Sequence, residues 1–206
     1  MSNEILGDYT VLNHAEPFCK GNDLTLFEDD DGKVYAFNNH SKTIFVSEVD
    51  MQNAKPIGDP KQCITSGNLE HGDWDGVSIE GAYCIKRDGK YYLFYSSWTR
   101  GYEIGYATAD HPFGPWTKFD HNPVYGAQNE VSCKKYKMVF SGDTDNPWAA
   151  VGHNEVFKGP DGRFWISCHG ILKNEGVPSL VIDPIDFEDG VMKIKGPTHT
   201  LQTIKL

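Results

Sequence analysis

Hydrophobic and polar residues alternate with a period close to two along most of the chain. Short runs of this kind, such as Val34–Phe37 and Tyr91–Ser96, are separated by turn-forming Gly, Pro, Asn and Asp. A period of two places successive side chains on opposite faces of a β-strand. We find no segment with the spacing of an amphipathic helix, so we predict an all-β protein.

Three Asp-Gly pairs predict a repeated β-hairpin. The pairs are Asp31-Gly32, Asp88-Gly89 and Asp161-Gly162. Asp-Gly between two apolar runs favours a tight hairpin turn, because both central residues need φ > 0. A basic residue and an aromatic-rich run follow each pair: Lys33–Phe37, Lys90–Phe94 and Arg163–Ser167.

The hairpins recur at intervals of 57 and 73 residues, as expected for four-stranded units joined by long loops. We therefore predict one partial β-propeller domain over 1–206. It has blades at about 22–65, 77–125 and 151–206, and 1–21, with a strand at Tyr9–Leu12, is the end of a preceding blade. Fourth strands are expected near Gln62–Thr65 and Trp116–Phe119. Three blades are fewer than the four to eight of a closed propeller.

One ionisable residue stands at the same offset before each turn. Asp23, Glu80 and His153 each precede the Asp of their pair by eight residues. If a rotation axis relates the hairpins, these side chains converge. Two of them also have a structural interpretation: Asp23 can cap a turn, and Glu80 can be a satisfied carboxylate within its strand. A carboxylate in an apolar strand is costly unless it is partnered or protonated, and a raised pKa suits a general acid.

Composition excludes several classes of function. The net charge of -10 argues against nucleic acid and anionic membranes as partners, and no apolar run is long enough for a transmembrane helix. The five cysteines form no C-x-x-C pair, which argues against a zinc ribbon. The first residues lack a signal-peptide pattern. The compartment stays open: the alternatives are a cytoplasmic protein as the chain stands, and a secreted or periplasmic one if the chain is N-terminally truncated.

Aromatic residues near the predicted loops suggest a carbohydrate cleft. The candidates for stacking on sugar rings are Trp74, Tyr83, Trp98, Tyr102 and Trp148. The alternative for any one of them is that it fills the space between blades. Two carboxylates facing a polar cleft are the basic equipment of glycoside hydrolysis.

Several motifs resemble glycoside hydrolase family 43. They are Ile79–Tyr83, Lys86–Tyr95, Glu103–Asp110 with Gly114–Trp116, Gly152–Gly162, Asn22–Gly32 and Ile182–Gly190 with Gly196–Thr200. The family comprises five-bladed β-propellers that include β-xylosidases, α-L-arabinofuranosidases and arabinanases. The resemblance spans nearly the whole chain and implies an inverting enzyme with three acids on three blades.

The resemblance also implies roles for the three ionisable residues. Glu80 would be the general acid, and Asp23 the second acid that tunes the pKa of the general acid and orients it. His153 would be the axial histidine that contacts a central metal ion, usually Ca²⁺, often through water. No organic cofactor is implied.

The chain departs from the family pattern in four places. The family's general base is an Asp of the first blade, and Asp8 stands in a different context from it. Leu24 and Ala82 occupy positions where the family usually has Pro. An arginine expected in the last blade has no counterpart near 176–180. By spacing, about two N-terminal blades are absent, so we expect the base from an N-terminal half, another chain or a symmetry mate.

Three functions follow as hypotheses. The first is hydrolysis of xylose- or arabinose-containing oligo- or polysaccharides, and the second is a non-catalytic carbohydrate-binding remnant. A propeller that transfers sugars to phosphate is disfavoured, because no cluster of Arg and His is evident. Since an incomplete propeller exposes blade edges that can pair with other chains, we expect an oligomer or a complementing N-terminal half.

Overall fold

A computed structural model describes residues 4–11 and 17–204. In this part of the chain, three antiparallel sheets follow one another along the sequence. Sheet 1 has the order β1 (Asn22–Glu28), β2 (Val34–His40), β3 (Thr43–Asp50) and β4 (Lys55–Thr65). Sheet 2 has β5 (Glu80–Arg87), β6 (Lys90–Ser97), β7 (Gly101–Ala109) and β8 (Thr117–Lys118), and β9 (Tyr125–Gln128) also pairs with β7. Sheet 3 has β10 (Trp148–Lys158), β11 (Phe164–Leu172), β12 (Pro178–Glu188) and β13 (Val191–Ile194).

The predicted all-β class is confirmed, with three sheets where three blades were expected. Each Asp-Gly pair lies in the turn between the first two strands of its sheet. Two short helical elements accompany the strands: a 3-10 turn spans Leu69–His71, and a helix, α1, spans Glu130–Lys135. The Asn129 side chain caps α1 by accepting from the Ser132 amide at 2.8 Å, and a helix this short shows no periodicity.

Two further elements differ from the prediction. Strand β4 begins at Lys55 and includes two prolines, which a strand at the edge of a sheet tolerates. Strand β9 was not expected. Tyr9–Val11 do not form the expected strand, and Leu12 lies outside the described residues.

The middle sheet is buried on both faces, and β6 shows why. Its odd-numbered aromatic and aliphatic residues, Tyr91, Leu93 and Tyr95, belong to the core shared with sheet 1. Tyr92 and Phe94 belong to the core shared with sheet 3. Because successive side chains of a strand point to opposite faces, this run of apolar residues lets one sheet pack between two others.

A buried carboxylate fastens the C-terminal segment to sheets 2 and 3. Asp183 on β12 is fully buried. It accepts hydrogen bonds from Tyr125 Oη at 2.5 Å, from Thr198 N at 2.9 Å and from Thr198 Oγ1 at 2.6 Å. Three donors satisfy a group that would otherwise be costly to bury. In the described residues, we find no helix of the length and hydrophobicity needed to cross a membrane.

Candidate active site

The first strands of the three sheets carry the same irregularity at the same register. A β-bulge follows the pairs Asn22↔Asn39 in β1, Glu80↔Ser96 in β5 and Gly152↔His169 in β10. The next residue is left-handed in each case: Asp23 at φ 56°, Gly81 at φ 60° and His153 at φ 55°. The bulge therefore provides an internal reference for superposing the three sheets.

This reference corrects the eight-residue offset. Asp23, Gly81 and His153 are the structurally equivalent residues, and Glu80 lies one position earlier. The cause is the length of the hairpin turn: Arg87 pairs with Lys90 across two residues, whereas the turns of sheets 1 and 3 hold five residues each. The offset still identified a residue next to the equivalent position, because Glu80 and Gly81 both belong to the bulge of β5.

Gly81 is the point where the three predicted residues meet. Its amide donates to Asp23 Oδ2 at 3.3 Å. A Cβ atom at Gly81 would lie 3.2 to 3.3 Å from the imidazole ring of His153. Asn39, with its amide oriented to satisfy its neighbours, also donates to Asp23 Oδ2 at 2.8 Å. The structure thus brings Asp23, Glu80 and His153 together around one glycine.

Glu80 is held by two aromatic donors that share one of its oxygens. Tyr102 Oη donates to Oε1 at 2.7 Å, and Trp98 Nε1 donates to the same oxygen at 2.8 Å. The two rings are stacked, with centroids 3.7 Å apart and planes 10° apart. Tyr102 is fully buried, whereas Trp98 is 37% exposed. Sequence reasoning named both rings as candidates for sugar stacking and missed that they donate to the acid.

His153 is fixed from two sides. Its backbone amide donates to Ser96 Oγ at 2.9 Å, and its Nδ1 lies 3.3 Å from Tyr102 Oη. A second histidine, His169, places its ring 6.2 Å from that of His153 and 5.5 Å from that of Tyr102. Burial, and then the proximity of the His153 ring, lowers the pKa of His169. The sequence carried no signal for His169, because its position depends on strand pairing.

The other candidate sugar-binding rings lie elsewhere. Trp74 packs on Tyr95 at 5.4 Å. Tyr83 is half-buried against the core between sheets 2 and 3. Trp148 is 4% exposed within that core. These positions match the alternative interpretation, in which such rings fill the space between blades.

An open depression lies next to the site on sheet 3. Its volume is ≈ 400 Å³, and its lining includes His153, Glu155, His169, Ser179 and Leu180. Hydroxyl, carboxylate and imidazole groups beside an exposed leucine form a mixed surface that suits the polar edges and apolar faces of a sugar.

The residues around His153 fit a hydrated cation better than a directly bound one. The described residues include no group of three or more His, Cys, Asp or Glu that could hold a metal ion. Asn154 is 1% exposed, and neither polar atom of its side chain has a partner within the described structure. Because Ca²⁺ prefers oxygen ligands and keeps waters readily, the Asn154 amide and the His153 imidazole could bind water molecules around such an ion.

The fold and site together define a class of protein. A β-propeller that gathers two carboxylates and a histidine on the first strands of its blades, beside an open polar depression, has the architecture of a glycoside hydrolase. The sequence matches the model of glycosyl hydrolases family 43 over residues 1–192, and the chain belongs to this family.

Relatives of known name come from several microorganisms. A β-D-galactofuranosidase of Aspergillus niger is 30% identical over 179 residues, which cover 84% of this chain and 43% of that protein. A β-xylosidase of Xylanibacter ruminicola is 29% identical over 129 residues, 62% of this chain and 37% of that protein. The chain thus spans well under half the length of these two relatives.

Solved structures show the same relationship. A thermostable family-43 glycoside hydrolase superposes with a TM-score of 0.69 at 30% identity, covering 88% of this chain and 60% of that one. An endo-1,4-β-xylanase of Bacteroides thetaiotaomicron gives 0.69 at 26% identity, with 88% and 61% covered. The match extends over nearly all of this chain and over less than two thirds of each relative.

Proposed function

We propose that this chain supplies the acid-bearing part of an inverting glycoside hydrolase that acts on xylose- or arabinose-containing oligo- or polysaccharides. The environment of Glu80 supports the proposal most directly. Both aromatic donors occupy Oε1, and in the described part of the chain no group donates to Oε2. A carboxyl group with one oxygen held and the other free is suited to giving a proton to a substrate.

The proposed reaction begins with Glu80 protonated on Oε2. That proton passes to the glycosidic oxygen as the bond from this oxygen to the anomeric carbon breaks. A water molecule attacks the anomeric carbon from the opposite face, and a general base accepts the proton of the water. The products are two sugars with free hydroxyl groups, and the anomeric configuration is inverted.

Asp23 acts in this proposal through the backbone. Its Oδ2 accepts from the amide of Gly81, the residue directly after Glu80. This bond holds the bulge that aims Glu80, so Asp23 orients the acid. His153 and Asn154 would hold the waters of a Ca²⁺ ion, which would supply positive charge near the site when bound.

The general base is proposed to come from an N-terminal half or a second chain. Among the carboxylates of the described first strands, Asp23 and Glu80 lie around Gly81, and Glu155 lines the neighbouring depression. Sheet 1 also exposes apolar side chains: Leu24 and Leu26 on β1 are 43% and 56% exposed. Such surfaces are suited to being covered by further blades.

A non-catalytic carbohydrate-binding role is the second candidate. The observation that favours it is the partly exposed Trp98 ring, together with the open depression lined by His153 and His169. In that case the Trp98 ring and the depression on sheet 3 would bind sugar without hydrolysis.

An activity assay with Glu80→Gln separates the two candidates. Aryl β-xyloside and α-arabinofuranoside are incubated with the chain alone and with a recombinant N-terminal half of a family member. We expect turnover with the complement, product of inverted configuration by NMR, and loss of turnover in Glu80→Gln. Glu130→Gln on α1 is the control that retains activity. Xylo-oligosaccharide binding without turnover in either mixture would instead support the binding role, and turnover that survives Glu80→Gln would refute Glu80 as the acid.

Association is tested separately by light scattering. We expect the chain to form an oligomer, or a one-to-one complex with the N-terminal half. A monodisperse monomer that forms no complex with the added N-terminal half would contradict the proposal that further blades cover the outer sheets.

A further inference from the structure

We propose that Trp98 and Tyr102 are positioning residues that determine which oxygen of Glu80 carries the proton. This inference rests on the proposed function and assigns roles within the same site. Both donors reach Oε1, at 2.8 and 2.7 Å. Oε1 is thereby kept as the acceptor, and Oε2 is left to deliver the proton.

The donor capacity of the three side chains determines where the proton lies. An indole N–H can only donate, and a phenol has a single proton. The carbonyl oxygen of a neutral carboxyl group has two lone pairs and can accept both bonds. If the proton were on Oε1, that oxygen would be the poorer acceptor and would face two donors. The arrangement therefore favours the acid whose proton is on Oε2.

The two donors are held rigidly. Their rings stack at 3.7 Å, and Tyr102 sits within β7, where it pairs with Ala127 of β9. A Cβ atom on Gly152 would come within 2.4 to 2.7 Å of the Tyr102 ring. The glycine before His153 therefore makes room for the ring that contacts Glu80, and sheet 3 helps to place a donor that belongs to sheet 2.

The same bonds specify the tautomer of His153. The single proton of Tyr102 is committed to Glu80, so at the 3.3 Å contact the imidazole Nδ1 must donate to Tyr102 Oη. Nδ1 then carries hydrogen, and Nε2 has a free lone pair. Burial and the hydrogen bond to Glu80 raise the pKa of Tyr102, which keeps its hydroxyl protonated. One phenol thus connects the acid to the histidine.

The test compares Tyr102→Phe and Trp98→Phe, each assayed together with the N-terminal half, on substrates with good and poor leaving groups. A dinitrophenyl xyloside departs without a proton, whereas xylobiose needs one. With xylobiose, we expect kcat to fall about tenfold to hundredfold in either variant, because one positioned donor is lost. With the dinitrophenyl substrate, we expect less than about a threefold change, and KM stays similar for both substrates. Tyr92→Phe, whose hydroxyl donates to Gly190 O at 3.2 Å in the core, is the matched control.

Each outcome is decisive. Equal losses on both substrates would mean that the rings are only structural, and no loss on either would overturn the proposal directly. Glu80→Gln is measured in parallel: if it also leaves xylobiose turnover intact, the proposed function fails, whereas a severe loss there with none in Tyr102→Phe refutes this inference alone.

A second measurement does not depend on turnover. Nitrogen-15 NMR of the full chain, with the His153 signals assigned by His153→Gln, reports which ring nitrogen carries hydrogen. We expect hydrogen on Nδ1 in the wild type and a changed tautomer ratio in Tyr102→Phe. An Nε2–H tautomer, or a ratio that Tyr102→Phe leaves unchanged, would refute the assigned hydrogen-bond chain.

Discussion

The first strands of all three sheets contain the same β-bulge, but the middle sheet holds its candidate site residue at a different bulge position from the outer sheets. All three contain a bulge whose second residue is left-handed. In β1 and β10 that residue is a candidate site residue, Asp23 or His153. In β5 it is Gly81, and the candidate acid Glu80 precedes it.

The difference reflects the crowding at the centre of the site. A left-handed conformation costs a residue with a Cβ atom roughly 1–2 kcal/mol, and Asp and His are among the side chains that tolerate it best. At Gly81 a Cβ would also press on the His153 ring. Because Asp23 of β1 and His153 of β10 both contact Gly81, β5 has room only for glycine at this position.

The largest effect is expected for Asp23→Gly, which makes β1 resemble β5. Activity should fall about a hundredfold, because the carboxylate that orients Glu80 is lost. Stability should change by less than about 1 kcal/mol, since relief of the left-handed conformation opposes the greater entropy of the unfolded chain. Initial rates and urea unfolding measure the two quantities. A large loss of stability would show that Asp23 is mainly structural.

The second comparison is Gly81→Ala against Gly89→Ala. Both glycines have positive φ, 60° and 77°, but nothing lies within 4 Å of a Cβ at Gly89. Gly89→Ala should cost about 1–2 kcal/mol from the backbone conformation alone. Gly81→Ala should cost about 1 kcal/mol more, because His153 must shift. Equal free energies of unfolding would mean that the contact with His153 is easily relieved.

A third variant tests how sheets 1 and 2 are joined. Asp29 in the β1–β2 turn accepts from Lys86 Nζ and Tyr91 Oη, each at 2.5 Å. Asp29→Asn should cost about 1–3 kcal/mol at neutral pH, because hydrogen bonds to a charged group are lost. The corresponding turn residue of sheet 3 is Gly159, so sheet 3 has no such carboxylate.

The pH dependence of Asp29→Asn has a definite sign. Burial alone would raise the pKa of Asp29, but the hydrogen bonds from Lys86 and Tyr91 outweigh it and lower this pKa below its ordinary value. The stabilisation is therefore present above about pH 4 and is lost as the pH falls through the lowered pKa. Chemical unfolding from pH 7 to pH 3 should show the wild type and Asp29→Asn converging at the acid end. A constant difference would exclude ionisation as the source.

The smallest effect is expected on the outer sheet. Arg163 and Asp186 pair at 3.1 Å with side chains 48% and 55% exposed. Asp186→Asn should change the free energy of unfolding by less than about 1 kcal/mol, since water and salt screen exposed pairs. Thermal unfolding at low and high salt measures this. If the free energy of unfolding falls as much as in Asp29→Asn, the difference in burial between the two ion pairs does not determine how much each stabilises the fold.

Much of the fold was predictable because it depends on local chemistry. Asp-Gly turns and a period of two were enough to predict the hairpins and the three sheets. The sequence could not show that Glu80 lies one residue before the position equivalent to Asp23 and His153. This shift depends on the length of the hairpin turn, which has two residues in sheet 2 and five in sheets 1 and 3. The contacts of Glu80 with Trp98 and Tyr102 were also inaccessible, because they depend on the packing of a loop against two strands. Trp98 and Trp148 were interpreted alike, yet one is exposed at the acid and the other is in the core.

The bonds of Asp183 have a practical consequence for the design of shorter forms of the protein. The family match ends at residue 192, but this buried carboxylate takes two of its three hydrogen bonds from Thr198. A chain trimmed to the matched region would end within β13 and leave this buried carboxyl group with Tyr125 as its single donor. The minimal folding unit is therefore longer than the family signature, and expression boundaries should be set beyond Thr198.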